Sequence, residues 1–393
     1  MRSAAKAIGK LLFLLLVALL LAPGIVPPFL DRIYYRGPVS DHFDGRRFFN
    51  PDPDAGAGSG PRNGIPILRL IRFMRGEGRA PWPKSVPVTP GRPVARVEGQ
   101  ALRVTWIGHS TVLIQTQGLN ILTDPIWSDR TGPFALGPRR VRAPGVRFDD
   151  LPRIDAVLIS HNHYDHFDVP TLRRLWARDR PLIVTGLGND TILKAKGIPA
   201  ASRDWGGRVA LGHGVDVVVE RVHHWDSRWM ADRNRALWSG FTIRLSGGNI
   251  FFAGDTGYGD GSWVADAARD GPYRLAILPI GAFKPRAMMQ PSHIGPVEAV
   301  EIFRRLGATD ALAVHWGTFQ LSNEALDEPR ELLEATLARQ GIAAARFRAG
   351  GAGVAWDVPA MAPAPGPAQS NRPSAATSAS DKAMPNVSAS TAR

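Results

Sequence analysis

The longest apolar run comes first: Leu11–Ala22 carries no polar side chain, and apolar character persists through Leu30. Later runs are shorter. Arg103–Thr116, Leu119–Asp124, Ile154–Ser160, Val217–Trp225, Asn249–Ala253 and Ala311–Gly317 are rich in Val, Ile, Leu, Phe and Thr. Such runs predict buried strands. Thr171–Arg178, Gly295–Leu306 and Pro329–Gln340 have helical spacing, with Asp168 as the predicted N-cap of the first and Pro170 in its first turn. Strands lead and then alternate with helices, so the class is α/β. No internal sequence repeat is visible.

Charge changes the reading of the two ends. Arg2, Lys6 and Lys10 precede the first apolar run, the charged and apolar parts of an export signal. Ala22-Pro23-Gly24 is a poor cleavage site, and the run to Leu30 supplies the ~20 residues that span a bilayer. An uncleaved anchor is expected, in the cell envelope, with the folded domain outside the cytoplasm. The chain carries a net charge of +13, and its first 94 residues hold 14 basic against 6 acidic residues. Arg69, Arg72 and Arg75 alternate with apolar residues between Ile67 and Arg75, the profile of an interfacial helix attracted to anionic lipid. The rival is a surface helix packed on the main domain. Asp52–Pro61 reads as a Pro/Gly-rich spacer and Pro359–Arg393 as a disordered tail. The expected organisation is 1–30 signal or anchor, 31–94 basic arm, 95–358 main domain and 359–393 tail. No stacking motif or recognition module supports nucleic acid as a partner. Cysteine is absent, so no disulfide framework exists.

The chemistry sits at strand ends. Ile154–Ser160 runs straight into His161-Asn162-His163-Tyr164-Asp165-His166, which holds three of the chain's 10 histidines. Imidazole and carboxylate suit zinc and its first-row neighbours. In an extended segment His161 and His163 share a side, and after a turn Asp165 and His166 face a second position. Asp255 follows another apolar run through Gly254, and His315 ends a third. His223 and His224 end a fourth, and one of them should complete the first ligand set. His109 and Asp124 are expected to orient ligands. Arg139 and Arg140 are candidates for a phosphate-binding mouth, or for a solvated patch.

These residues resemble the metallo-β-lactamase superfamily. Within it, Gly254-Asp255-Thr256-Gly257-Tyr258 and His315-Trp316-Gly317-Thr318-Phe319 are similar to the N-acyl-phosphatidylethanolamine phospholipase D family, over about Arg103 to Arg348. The resemblance implies an αββα four-layer sandwich and two divalent ions, zinc by default with manganese or iron as alternatives. One ion would be held by His161, His163 and His224, the other by Asp165, His166 and His315, with Asp255 bridging. Asp165 and Asp255 would be catalytic. His293 occupies a position that resembles a family histidine, and is expected to contact the substrate or assist the leaving group. The implied reaction is metal-assisted phosphodiester hydrolysis of an N-acyl-phosphatidylethanolamine-like lipid at a membrane surface. A lactone or another ester or amide is the first alternative. An envelope binding protein with a purely structural metal is the second.

Overall fold

The protein is described by a computed structural model, here for residues 2–52, 67–229 and 231–362. The Pro/Gly-rich segment from residue 53 and the tail from residue 363 lie outside them. The strands are β1 Leu102–Gly108, β2 Thr111–Thr116, β3 Leu119–Thr123, β4 Ala156–Ile159, β5 Leu182–Gly186, β6 Ala201–Arg203, β7 Arg208–Gly212, β8 Val215–Glu220, β9 Gly240–Arg244, β10 Asn249–Phe252, β11 Tyr273–Pro279, β12 Asp310–Val314, β13 Phe347–Arg348 and β14 Ala355–Asp357. The helices are α1 Arg2–Leu30, α2 Ile67–Met74, α3 Val169–Asp179, α4 Asn189–Lys194, α5 Ser262–Ala268, α6 Arg286–Met289, α7 Pro296–Arg305 and α8 Glu328–Arg339.

Two seven-stranded sheets form, ordered β14-β1-β2-β3-β4-β5-β6 and β13-β12-β11-β10-β9-β8-β7. In the first, β14 through β3 pair antiparallel and β3 through β6 parallel. The second repeats that division: β13 through β10 are parallel and β10 through β7 antiparallel. A structural repeat is therefore present where the sequence displays none. Alternation along the strands produces the layers. On β2, Val112 and Ile114 face the core between the sheets, while Leu113 joins Leu122, Val157, Leu172 and Leu175 beneath α3. On the far side Val300, Phe303, Leu333 and Leu337 bring α7 and α8 onto the second sheet. The result is the αββα sandwich.

Two local expectations change. The run Arg103–Thr116 is not one strand, because His109 adopts φ 52° after Gly108 at φ 143° and the chain folds back as a hairpin. Asp168 stands at the N-cap position of α3, yet its carboxylate accepts from Ser128 Oγ and Thr171 Oγ1 rather than from a helix N–H.

The arm from residue 31 is built into the domain. Phe43 and Phe48 belong to the main core, and Asn50 donates to the His224 carbonyl at 2.9 Å. Asp31 accepts both Nε and Nη2 of Arg235, at 2.7 and 2.6 Å. Phe48→Ala should cost ~3–5 kcal/mol of stability, the usual penalty for emptying a buried aromatic site. A chemical melt of the full chain measures it, and a loss below ~1 kcal/mol would mean the arm is loosely held.

One buried acid makes stability depend on pH. Glu220 ends β8 with Oε1 lacking a hydrogen-bond partner. Burial pushes its carboxyl up to about 7. The folded state thus keeps a proton that an unfolded glutamate loses near ~4.3. The contribution to stability is complete below that value and lost as pH rises toward 7. Glu220→Gln removes the dependence. It should stabilise by up to ~3 kcal/mol at pH 8 and hardly at all at pH 4, as read from melting curves at both pH values.

Candidate metal centre

Strand ends converge at one edge of the two sheets. β3 delivers Asp124, β4 delivers Ser160 and His161, β8 leads to His224, β10 to Asp255 and β12 to His315. The backbone is strained where it must turn: Asp124 has φ 33° and His315 φ 59°, a region costly for residues with a Cβ. Gly254 has φ 60°, and a Cβ there would lie 2.4 Å from that of Ser160. Only glycine lets β10 pass close enough to β4 to set Asp255 beside His161.

The side chains form two groups that meet at Asp255. His161, His163 and His224 make one; His109, Asp165, His166 and His315 make the other. Asp255 Oδ2 lies 3.0 Å from His315 Nε2, 3.1 Å from His166 Nε2 and 4.0 Å from His161 Nε2. Asp165 Oδ2 lies 3.5 Å from His166 Nε2 and 3.7 Å from His315 Nε2, and His109 Nε2 contacts it at 2.9 Å. All seven expected ligand residues are brought together. His109 stands closer in than the sequence reading placed it.

Hydrogen bonds dictate which ring nitrogens are bare. Ser160 Oγ has one proton and donates it to Asp124 Oδ2 at 2.6 Å, so His161 Nδ1–H must donate to Ser160 Oγ at 2.9 Å. His166 Nδ1–H donates to Asp124 Oδ2 at 2.7 Å. His224 Nδ1–H donates to the Ser292 carbonyl at 2.9 Å. In each ring, when neutral, the lone pair is left on Nε2. His166 Nε2, His224 Nε2, His315 Nε2 and Asp255 Oδ1 are buried without a hydrogen-bond partner. Buried polar atoms in such numbers call for a partner from outside the chain, and a divalent cation bound by bare imidazole and carboxylate is one that fits.

The charges agree. Burial holds the His161 and His224 rings well below the usual histidine range, and brings His163 to about 3. Burial also opposes charge on His315, but Asp255 and Asp165 outweigh it and raise the ring to about 9. Burial likewise disfavours ionised Asp165 and Asp255, yet His166 holds both well below the carboxylate range. Two buried carboxylates here demand positive charge, from protons or from cations.

His293 lies at the mouth. Its Nδ1 is 3.8 Å from Asp255 Oδ2, and its ring is 5.3 Å from that of His224. Burial lowers it to about 4. The arginine pair is placed elsewhere. Arg139 is exposed and reaches Asp129 at 3.4 Å. Arg140 is buried, donates to the Ser128 and Ile126 carbonyls and lies over the Phe319 ring. Phe319 in turn abuts His109, so Arg140 supports the site's wall. His223 turns away from the centre and binds Asp52 of the arm. Sequence reasoning assigned no role to Ser160, to the Ser292 carbonyl or to Asp226, which accepts the Asn162 N–H at 3.2 Å between two ligands. A serine before a ligand histidine was the visible signal for the first; a carbonyl and a distant carboxylate leave none.

Residues 119–316 match the β-lactamase superfamily domain. The chain is 34% identical to N-acyl-phosphatidylethanolamine-hydrolyzing phospholipase D 1 of Caenorhabditis elegans over 65% of this chain and 76% of that protein. It is 35% identical to the mitochondrial N-acyl-phosphatidylethanolamine-hydrolyzing phospholipase D of Saccharomyces cerevisiae over 58% of this chain and 50% of that protein. Among solved structures, an isothiocyanate hydrolase from Delia radicum gut bacteria superimposes with a TM-score of 0.51 at 19% identity, covering 66% of this chain and all of its own; that likeness concerns the fold. With an αββα sandwich, candidate metal ligands at its strand ends, the family match and the phospholipase relatives, the chain belongs to the metallo-β-lactamase superfamily as a metal-dependent hydrolase.

Proposed function

We propose that this protein is a membrane-tethered phosphodiesterase of phospholipase D type. Its substrate would be an N-acyl-phosphatidylethanolamine-like lipid, and its products phosphatidic acid and the N-acylethanolamine. The observation that carries the reading is the complete set of seven ligand side chains in a chain 34% identical to an enzyme named for that hydrolysis.

His161, His163 and His224 would hold one zinc ion, and Asp165, His166 and His315 a second, with Asp255 common to both. Bound there, two such cations would supply a water of lowered pKa and would offset charge on the phosphate. The remaining work falls to the chain. His109 holds the Asp165 carboxylate through its Nε2 at 2.9 Å. Asp124 and Ser160 keep the rings of His161 and His166 in the tautomer that faces inward. His293, neutral at physiological pH, offers one N–H and one lone pair at the mouth, suited to a hydrogen bond with the leaving ethanolamide oxygen.

The surroundings support a lipid. Trp225 packs on His163, with ring centroids 4.2 Å apart. Phe134 and Leu136 are 82% and 80% exposed, and Phe134 leans on Trp229. On α2, Leu68, Ile71 and Met74 are exposed beside Arg69, Arg72 and Arg75, so its apolar side is left for a membrane surface. Within α1, Ala4–Ala22 has mean hydropathy 2.3 and none of it is buried.

The test incubates metal-loaded full-length protein with N-acyl-phosphatidylethanolamine in mixed micelles and, separately, with a lactone panel. Equimolar phosphatidic acid and N-acylethanolamine are expected; faster opening of any lactone would overturn the substrate assignment. His293→Gln should lower kcat by ~10²-fold, the lower end for a lost proton-handling group, with metal content unchanged. Wild-type turnover in that variant would remove His293 from the chemistry. Carbonate-washed membranes should retain the protein.

A further inference from the structure

A basic cleft lies where the chain leaves α1. Its volume is about 570 Å³, and Ile33, Tyr35, Arg36, Gly37, Gly45, Arg46 and Arg235 line it. Arg36 is exposed and has no hydrogen-bond or ion-pair partner among the described residues. Arg46, Arg47 and Arg235 all converge on the single carboxylate of Asp31. Asp44 is engaged by the backbone amides of Arg46 and Arg47 at 2.7 and 2.6 Å, and Asp232 by the Tyr34 hydroxyl at 2.7 Å. Positive charge is therefore in excess. Arg235 donates from all three guanidinium nitrogens, the third to the Arg46 carbonyl at 2.8 Å. The floor is glycine: Gly45 has φ 89°, and a Cβ on Gly37 would collide with the Tyr35 hydroxyl. A small, cationic, open cradle results.

Its position determines what fills it. α1 ends at Leu30, and Asp31 is at once locked to Arg235 while Tyr34 donates to Asp232 at 2.7 Å. Arg36 follows six residues after Leu30, a reach of at most ~20 Å. The lipid headgroup layer is itself about 6 Å deep. With the apolar run of α1 inserted as far as Leu30, the short clamped tether keeps this cleft within reach of the headgroups.

We propose that the cleft binds the phosphate of an anionic phospholipid in the leaflet where α1 ends, apart from the catalytic centre. The inference rests on α1 being a membrane anchor; it does not depend on which substrate the centre hydrolyses. Each arginine near an anionic surface contributes roughly fivefold in affinity.

The test is native mass spectrometry of the detergent-solubilised full chain offered phosphatidylglycerol or phosphatidylcholine. Wild type should retain one phosphatidylglycerol in clear preference. Arg36→Ala should lower that retention about fivefold and Arg36→Ala with Arg46→Ala on the order of 25-fold, with melting temperature and metal content unchanged. Arg36→Lys should restore most of it, and Arg304→Ala with Arg339→Ala on α7 and α8 should do nothing. Equal retention of the two lipids, or equal loss in the control variant, overturns the site. Displacement by millimolar glycerol phosphate as effectively as by lipid would overturn the choice of a membrane source. Asp255→Asn should keep the selectivity. Selectivity without hydrolysis would therefore fault the substrate reading alone, and hydrolysis without selectivity would fault the cleft alone.

Discussion

Hydrolysis falls by on the order of 10³-fold or more when Asp255 is replaced by asparagine, the equivalent of several kcal/mol of lost charge stabilisation at the reacting group. Asparagine has the same shape, so Gly254 still passes Ser160 and the sandwich still packs. What disappears is the charge. Asp255 Oδ2 is within 3.1 Å of both His166 and His315 and 4.0 Å from His161. It is the carboxylate that faces both groups of candidate ligands, and a neutral amide would not offset the repulsion of the two cations proposed to sit there. Metal content measured on the purified variant should fall from about two ions per chain to one or fewer. A variant that keeps both ions and near-native kcat would show that Asp255 is not shared.

Stripping the metals is expected to lower the melting temperature by about 10 °C or more. Ligands at a thousandfold above their dissociation constant stabilise by ~4 kcal/mol per site, and each kcal/mol moves a domain of this size by roughly 2–4 °C. The buried environment gives the effect its pH dependence. Protons compete for the same nitrogens and carboxylate oxygens, so retention weakens as pH falls. Calorimetry with and without a chelator measures the shift. Restoration by zinc, manganese or ferrous ion, each added alone, identifies the occupant. An unchanged melt after complete removal would mean the centre's walls stand without a cation, against the charge balance at Asp165 and Asp255.

Much of the centre was legible because its ligands lie at the ends of strands that read as strands. β4 and its His-rich continuation, the Gly254-Asp255 turn and His315 needed only apolar runs and side-chain chemistry. Other features depended on contacts made far away in sequence. Nothing local separates His223 from His224; the alternating directions of an extended chain send one to the arm and the other inward, and family resemblance supplied the choice. Arg140 reads as surface charge, yet carbonyls of residues 126 and 128 and the Phe319 ring enclose it. The hairpin at His109 was hidden because Trp, Ile, Thr and Val flank it on both sides. The repeated layout of the two sheets is carried by pairing geometry, which unlike sequences satisfy equally well.

The arm's anchorage has a consequence for how such a protein is inherited and cut. Composition invites a seam at residues 94 and 95, but Phe43, Phe48 and Asn50 sit on the far side of it and complete the body of the hydrolase. A gene fusion or protease severing the chain there would strip a piece of the interior together with the leash. With α1 as the proposed anchor, a cut ahead of Asp31 would release the folded body whole, whereas a cut at residue 94 would take Phe43 and Phe48 out of its core.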